Sequence, residues 1–197
     1  MEIKDKIVLK EKQSIDCPVG KLVGTLQWKK AVDLDLWCFV KTKNGRSETI
    51  GFSNLGSLQS YPNIQLDKDA GVGDKAGDNE ENIRFDTLEH IDHAFICANI
   101  YGKLSANFST YDGAVIIKSK STEFTVPLTS KAGGSWCIIA HLDTTGPTPQ
   151  LRNINQPVDK RPTIDNLIAK NYSPKGSDGT FPPRERPRGF IAKLFGG

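Results

Sequence analysis

The feature that most constrains this chain is a series of short segments rich in β-branched and aromatic residues, regularly spaced and separated by turn residues. They read KIVLKE, KLVGTLQW, DLWCFVKT, ETIGFSN, NIRFDT, HAFICANIY, GAVIIKSK, TEFTVPL and SWCIIAHLD. Glycine-bearing turns punctuate them: KNGR (Lys43 to Arg46), YDG (Tyr111 to Gly113) and KAGG (Lys131 to Gly134). With no convincing helix between them, these segments predict an all-β fold, an antiparallel β-sandwich of eight or nine strands. Continuous apolar runs such as FICANI and CIIA fit central strands, whereas Lys118 and Lys120 in VIIKSK fit a strand half in water.

Proline sets the expected boundary of that sandwich. Pro18, Pro62 and Pro127 are scattered through the body, but Pro147, Pro149, Pro157, Pro162, Pro174, Pro182, Pro183 and Pro187 crowd the last quarter. The packed domain is therefore expected over residues 1–145, followed by a Pro-rich tail over 146–197. Charge divides at the same place. The tail carries nine basic and four acidic residues, a net +5, so a total of +3 leaves the body at −2. Within the tail, RPTIDNLIAKN predicts a short helix over 163–171, with Thr163 as cap and Ile164, Leu167 and Ile168 as an apolar stripe. Beyond it, SPKGSDGTFPPRERPR has the composition of a linker, and an apolar motif, GFIAKLFGG, occupies 189–197.

No run approaches the roughly 18 apolar residues of a membrane span, and the N-terminal MEIKDKIVLKEKQ lacks the apolar core of a secretion signal. Cys17, Cys38, Cys97 and Cys137 are far apart, without metal-ligand spacing. They read as small buried hydrophobes in a reducing compartment, and the expected location is cytoplasmic.

One stretch departs from an ordinary sandwich sequence. NIQLDKDAGVGDKAGDNEENIRF, from Asn63 to Phe85, gathers Asp67, Asp69, Asp74, Asp78, Glu80 and Glu81 among glycines, offset by Lys68 and Lys75. Carboxylates this dense repel one another and need either open water or a cation. A companion lies in VDLDLWCFV: strand alternation puts Asp33 and Asp35 on one face with Trp37 and Phe39, and Leu34, Leu36 and Cys38 on the other. An all-oxygen donor set, with Asn79 or Asn82 as further candidates, favours a hard cation. Calcium fits best, because it accepts irregular coordination that a glycine-rich loop can wrap. On composition alone a solvated acidic loop fits equally well. An EF-hand does not: counting from Asp69, Gly71 and Gly73 stand where ligands belong and Asp74 replaces the required glycine. A phosphate loop is excluded by the negative charge and by the lack of a following GK[ST].

The ordered motifs VDLDLWCF, FSNLGSLQSYPNIQLDKD, ENIRF, FICANIYG and YDGAVIIK resemble the tellurite-resistance TerD superfamily, and within it the TerA branch. There a DLDL strand, a YIQLDGDD-type loop, an ENLRI-type strand and a DGVVTI-type strand recur in that order. The match spans roughly residues 5 to 143, and nothing after Gly146 follows the pattern. The resemblance implies a β-sandwich with calcium at one end and a role in bacterial stress response, including tellurite resistance, with links to phage and colicin resistance. Members are not known as enzymes. As metal ligands it implies Asp33 and Asp35 from the DLD motif, Asp67 and Asp69 from LDxD, and Glu81 from ENIR. Asp74 and Asp78 correspond loosely to a GDGDD-like run, which AGVGDKAGDNE spaces differently and interrupts with Lys75.

Other chemistry is less supported. His90 and His93 in EHIDH read as a solvated turn, and His141 reads as a strand histidine with a hydrogen-bond partner. No serine sits in a GxSxG elbow and no cysteine in a nucleophile context. The basic and apolar end of the chain, residues 182–197, supports a different expectation: an adaptor that binds protein partners or an anionic membrane surface through its tail, with the sandwich as passive support. Nucleic acid fits poorly, since no aromatics interleave with the tail's basic residues.

Overall fold

A computed structural model describes residues 3–67, 76–102 and 107–171 of the chain. It is a two-sheet β-sandwich. The first sheet has seven strands, in the order β1 (Asp5–Val8), β11 (Thr122–Pro127), β10 (Ala114–Lys118), β3 (Leu22–Trp28), β8 (Asn79–Phe85), β7 (Ile64–Leu66) and β6 (Gly56–Ser57). The second has six: β2 (Ser14–Asp16), β13 (Gln150–Val158), β12 (Trp136–Asp143), β9 (Ile91–Ile100), β4 (Leu34–Thr42) and β5 (Ser47–Ile50). Every expected segment forms a strand. All pairings are antiparallel except β1 with β11, which run parallel.

The alternation read in VDLDLWCFV holds in β4. Leu34, Leu36, Cys38 and Val40 enter the core between the sheets, where they meet Ile83 and Phe85 of β8 and Ala94, Ile96 and Ala98 of β9. Burying each large apolar side chain contributes about 1.5–3 kcal/mol. Trp37 and Phe39, of opposite parity, build a second apolar layer outside that core. Their rings stack at 6.4 Å, Trp136 lies 5.5 Å from Trp37, and the Arg161 guanidinium sits 4.5 Å over the Trp37 ring. Trp37 lies so close to the backbone of Gly51 that a Cβ there would fall 2.2 Å from its ring.

The structure corrects the expected boundary at residue 145. The chain goes on to form β13, whose residues pair with β12 from Trp136↔Val158 to Asp143↔Gln150. Three prolines around and within it hid the strand, although only Pro157 lies inside it. Pro147 lies before it and Pro149 just ahead of its first residue, while Pro157 lies beyond the last residue paired with β2, where β13 is an edge. Asn155, at φ 48°, marks an irregularity in the β12–β13 register. The asparagine also ties β13 to the other sheet, donating from Nδ2 to the carbonyl of Pro127 at 2.9 Å and to Thr129 Oγ1 at 2.6 Å.

The chain divides into two compact units, Met1–Ile164 and Asp165–Gly197. The expected short helix is present as α1 (Ile164–Asn171), with Asp165 in its first turn and Lys170 in its last, both favourable to the helix dipole. The apolar motif at 189–197 and the linker before it lie outside the described residues. Among the described residues, no helix is long and apolar enough to cross a membrane.

All four cysteines are buried and free. Cys38 and Cys137 sit on β4 and β12, on either side of β9. At roughly 4.8 Å per strand they are about 10 Å apart, beyond the ~7 Å reach of a disulfide.

Candidate functional site

The acidic end of the sandwich is built where β4 and β8 begin. On β8, alternation turns Glu81, Ile83 and Phe85 towards the core, so Glu81 carries a carboxylate to the rim of an apolar layer, where it is only 6% exposed. Its Oε2 accepts a 2.6 Å hydrogen bond from the backbone N–H of Leu36, in the opposite sheet. The reason lies in the register. β5 pairs with β4 only from Cys38 onward, so the Leu36 amide lies past the end of that ladder, and the Glu81 side chain satisfies it.

Asp35 lies one residue away and faces the other side of β4. It is 7% exposed, and Asn99, its cross-strand partner on β9, donates from Nδ2 to Asp35 Oδ2 at 3.3 Å. Asp33 precedes the strand, half-buried, and its carbonyl accepts the N–H of Tyr101 at 2.9 Å. Two nearly buried carboxylates thus flank one short piece of β4 backbone, and their donors are oxygens, the type a hard cation takes.

Asp67 is placed differently. It continues the outward parity of β7, and the guanidinium of Arg84, outward on β8, grips both its oxygens at 2.8 and 2.6 Å. The pair is partly solvated, with side chains 43% and 35% exposed for Arg84 and Asp67. The Asp67 carboxylate holds the guanidinium above its ordinary range, chiefly through these hydrogen bonds. A cation bound through Asp67 has to share or displace Arg84. Asp78 is exposed just ahead of β8, where Gly77 N–H anchors the segment to the carbonyl of Lys29 at 3.0 Å. Asn82 faces Thr25, whose hydroxyl donates to its Oδ1 at 2.6 Å. Asp69 and Asp74 lie outside the described residues.

The structure therefore brings Glu81 to the Leu36 amide, on the face of β4 opposite to Asp35, and puts Asp67 on the outer face of the seven-stranded sheet with Arg84. Among the described residues, no group of three or more His, Cys, Asp or Glu side chains is gathered as a metal site. Sequence reading missed Arg84 and Asn99, although both were readable once the register was known: Asn99 sits directly across from Asp35, and Arg84 lies two residues along β8 from Asn82, the residue opposite Asp67, and so on the same face.

It also misplaced His93. The residue lies in β9, not in a turn, and its Nδ1 is 3.2 Å from Nε2 of the buried His141 on β12. His90, by contrast, is in the turn before β9.

These features define a two-sheet β-sandwich, and its fold is TerD-like. The chain is similar to the crystal structure of a homologue of telluride resistance protein (TerD) from Streptomyces coelicolor A3(2), with 15% identity and a TM-score of 0.53. That similarity covers 84% of this chain and 100% of the other. At this identity the likeness establishes the fold. No protein-family model matches the sequence, and no curated protein does.

Proposed function

We propose that this chain is a calcium-binding, non-enzymatic module of the TerA/TerD kind, working in the cytoplasm in a stress response as a sensor, scaffold or sequestering protein. One observation carries the reading: Asp35 and Glu81, two almost fully buried carboxylates, flank the Leu36 amide at one end of the sandwich. Carboxylates held out of water carry a large desolvation cost, which a divalent cation offsets. The segment that follows Asp67 and leads into Glu81 carries further acidic residues in sequence, Asp69, Asp74, Asp78 and Glu80. The TerD-like fold agrees with this reading, as does the order of the motifs; the TerA branch rests on the motifs alone.

Calcium takes six to eight oxygens at about 2.3–2.6 Å, in geometry loose enough for a mixed set of carboxylates and carbonyls. Magnesium is stricter and keeps its waters. Thermal unfolding of chelator-stripped protein tests the reading: millimolar calcium should raise Tm, and magnesium should do so less. Identical melting curves with and without calcium would refute it.

A further inference from the structure

The opposite end of the six-stranded sheet holds a second group of ionisable side chains that the acidic site does not use. His93 lies near the start of β9 and His141 near the end of β12, on adjacent strands and on one face. Their facing nitrogens, Nδ1 of His93 and Nε2 of His141, are 3.2 Å apart. Such a contact is a hydrogen bond only when one nitrogen carries a proton and the other offers a lone pair. If both carry protons, two N–H groups point at each other.

The surroundings decide which ring can accept an extra proton. His93 stands across from Lys41 on β4 and from Asp143 on β12, and Asp143 Oδ1 is 3.7 Å from its Nδ1. Asp92 is its neighbour in β9. His141 is fully buried, stacks on Phe95 at 4.2 Å, and has Arg152 of β13 as its cross-strand partner. Asp143 is the nearest anion to the pair, and it is already engaged by the N–H and hydroxyl of Thr145 at 2.9 and 2.6 Å. A proton on the outer nitrogen of His93 leaves the His93–His141 hydrogen bond intact. With His93 already charged, a proton on His141 destroys it, because both facing nitrogens then carry N–H groups, and it places a further positive charge beside Arg152 in an apolar layer.

We propose that the His93–His141 pair is a proton-triggered latch between β9 and β12, closed while His141 is neutral and released when acid protonates it. Burial first, then His93 and Arg152, push the His141 imidazole well below its ordinary range. The sign follows. Below about pH 6.5 the unfolded chain binds a proton at this residue that the folded chain refuses, so stability falls as pH falls. The unfolding constant grows up to tenfold per pH unit, down to the folded-state value.

The test uses the full chain between pH 7.5 and 5, above the range where ordinary carboxylates titrate. Imidazole NMR should show His141 still neutral at pH values where a free imidazole is mostly protonated; titration of His141 at the ordinary imidazole value overturns the proposal. Amide exchange, corrected for its intrinsic pH dependence, should show protection at Ala94, Phe95, Ile96 and Leu142 falling by up to about eightfold from pH 7 to 5.5. Protection along β3 and β8 should hold. Equal loss in both sheets overturns the latch, because the pair would then act on global stability alone. His141→Phe, which keeps the stack on Phe95, should remove the selective loss; if that variant does not fold, the first two measurements on the unaltered chain still decide.

Discussion

Removing the side chain of Glu81 tests whether one carboxylate holds the two sheets together at the acidic end. The acceptor of the Leu36 amide is a charged oxygen at 2.6 Å, and Leu34 and Leu36 on either side of Asp35 have no exposed surface. In Glu81→Ala the amide loses its partner in a site with little water, a cost of about 1–3 kcal/mol for the unsatisfied donor. Glu81→Gln keeps an acceptor of the same reach while removing the charge, so its cost without metal should be under ~1 kcal/mol, offset in part by the desolvation no longer needed. Urea unfolding with calcium chelated measures both. Glu81→Ala should lower the midpoint at unchanged m-value, with Glu81→Gln close to the parent protein. If Glu81→Ala were as stable as the parent, the Leu36 amide would have another partner and the account of this end would fail. In calcium, Glu81→Gln should lose the Tm increase that the parent protein shows.

Three other perturbations have definite outcomes. Gly51→Ala puts a methyl group 2.2 Å from the Trp37 ring, so it should destabilise by about 1–3 kcal/mol and shift the tryptophan emission; unchanged stability and spectrum would mean the indole is not packed there. The four thiols should be silent to a disulfide reagent in the native protein and react only on unfolding, since burial pushes Cys17 and Cys137 up to about 12 and raises Cys38 and Cys97 as well. Fast reaction of any thiol in native protein would contradict its placement. A chain ending at Asp143 should fail to fold, because it lacks β13 and uncovers β12, whereas one ending at Asn171 keeps both sheets. The longer truncation is thus the right one for asking whether partners depend on residues 182–197, and partner binding that disappears with it and ignores calcium would favour the adaptor reading.

Much of the sandwich was legible because period-two alternation is a direct readout of burial on a strand. In β4 it sorted Leu34, Leu36 and Cys38 from Asp35, Trp37 and Phe39 correctly, and it marked the start of the strand as the place where charge meets core. It failed at β13, where proline density outweighed a pattern that a bulge at Asn155 had already broken. The acidic end was legible in kind but not in arrangement. Charge selected Asp67 and Glu81 alike, yet their parities on β7 and β8 send one outward to Arg84 and the other inward to Leu36. Parity relative to a neighbouring strand needs the register, and register across a long acidic loop cannot be counted from sequence. His93 was misplaced for a simpler reason: the strand starts at Ile91, three residues before the apolar run that begins at Ala94.

Calorimetric titration of calcium into the chelator-stripped full chain, alongside Asp35→Asn and Glu81→Gln, tests the central claim most directly. The account predicts saturable calcium binding that either substitution weakens at least tenfold, with the sandwich still folded. Absence of binding heat in a parent protein of native fold, or the same affinity in all three proteins, would contradict it.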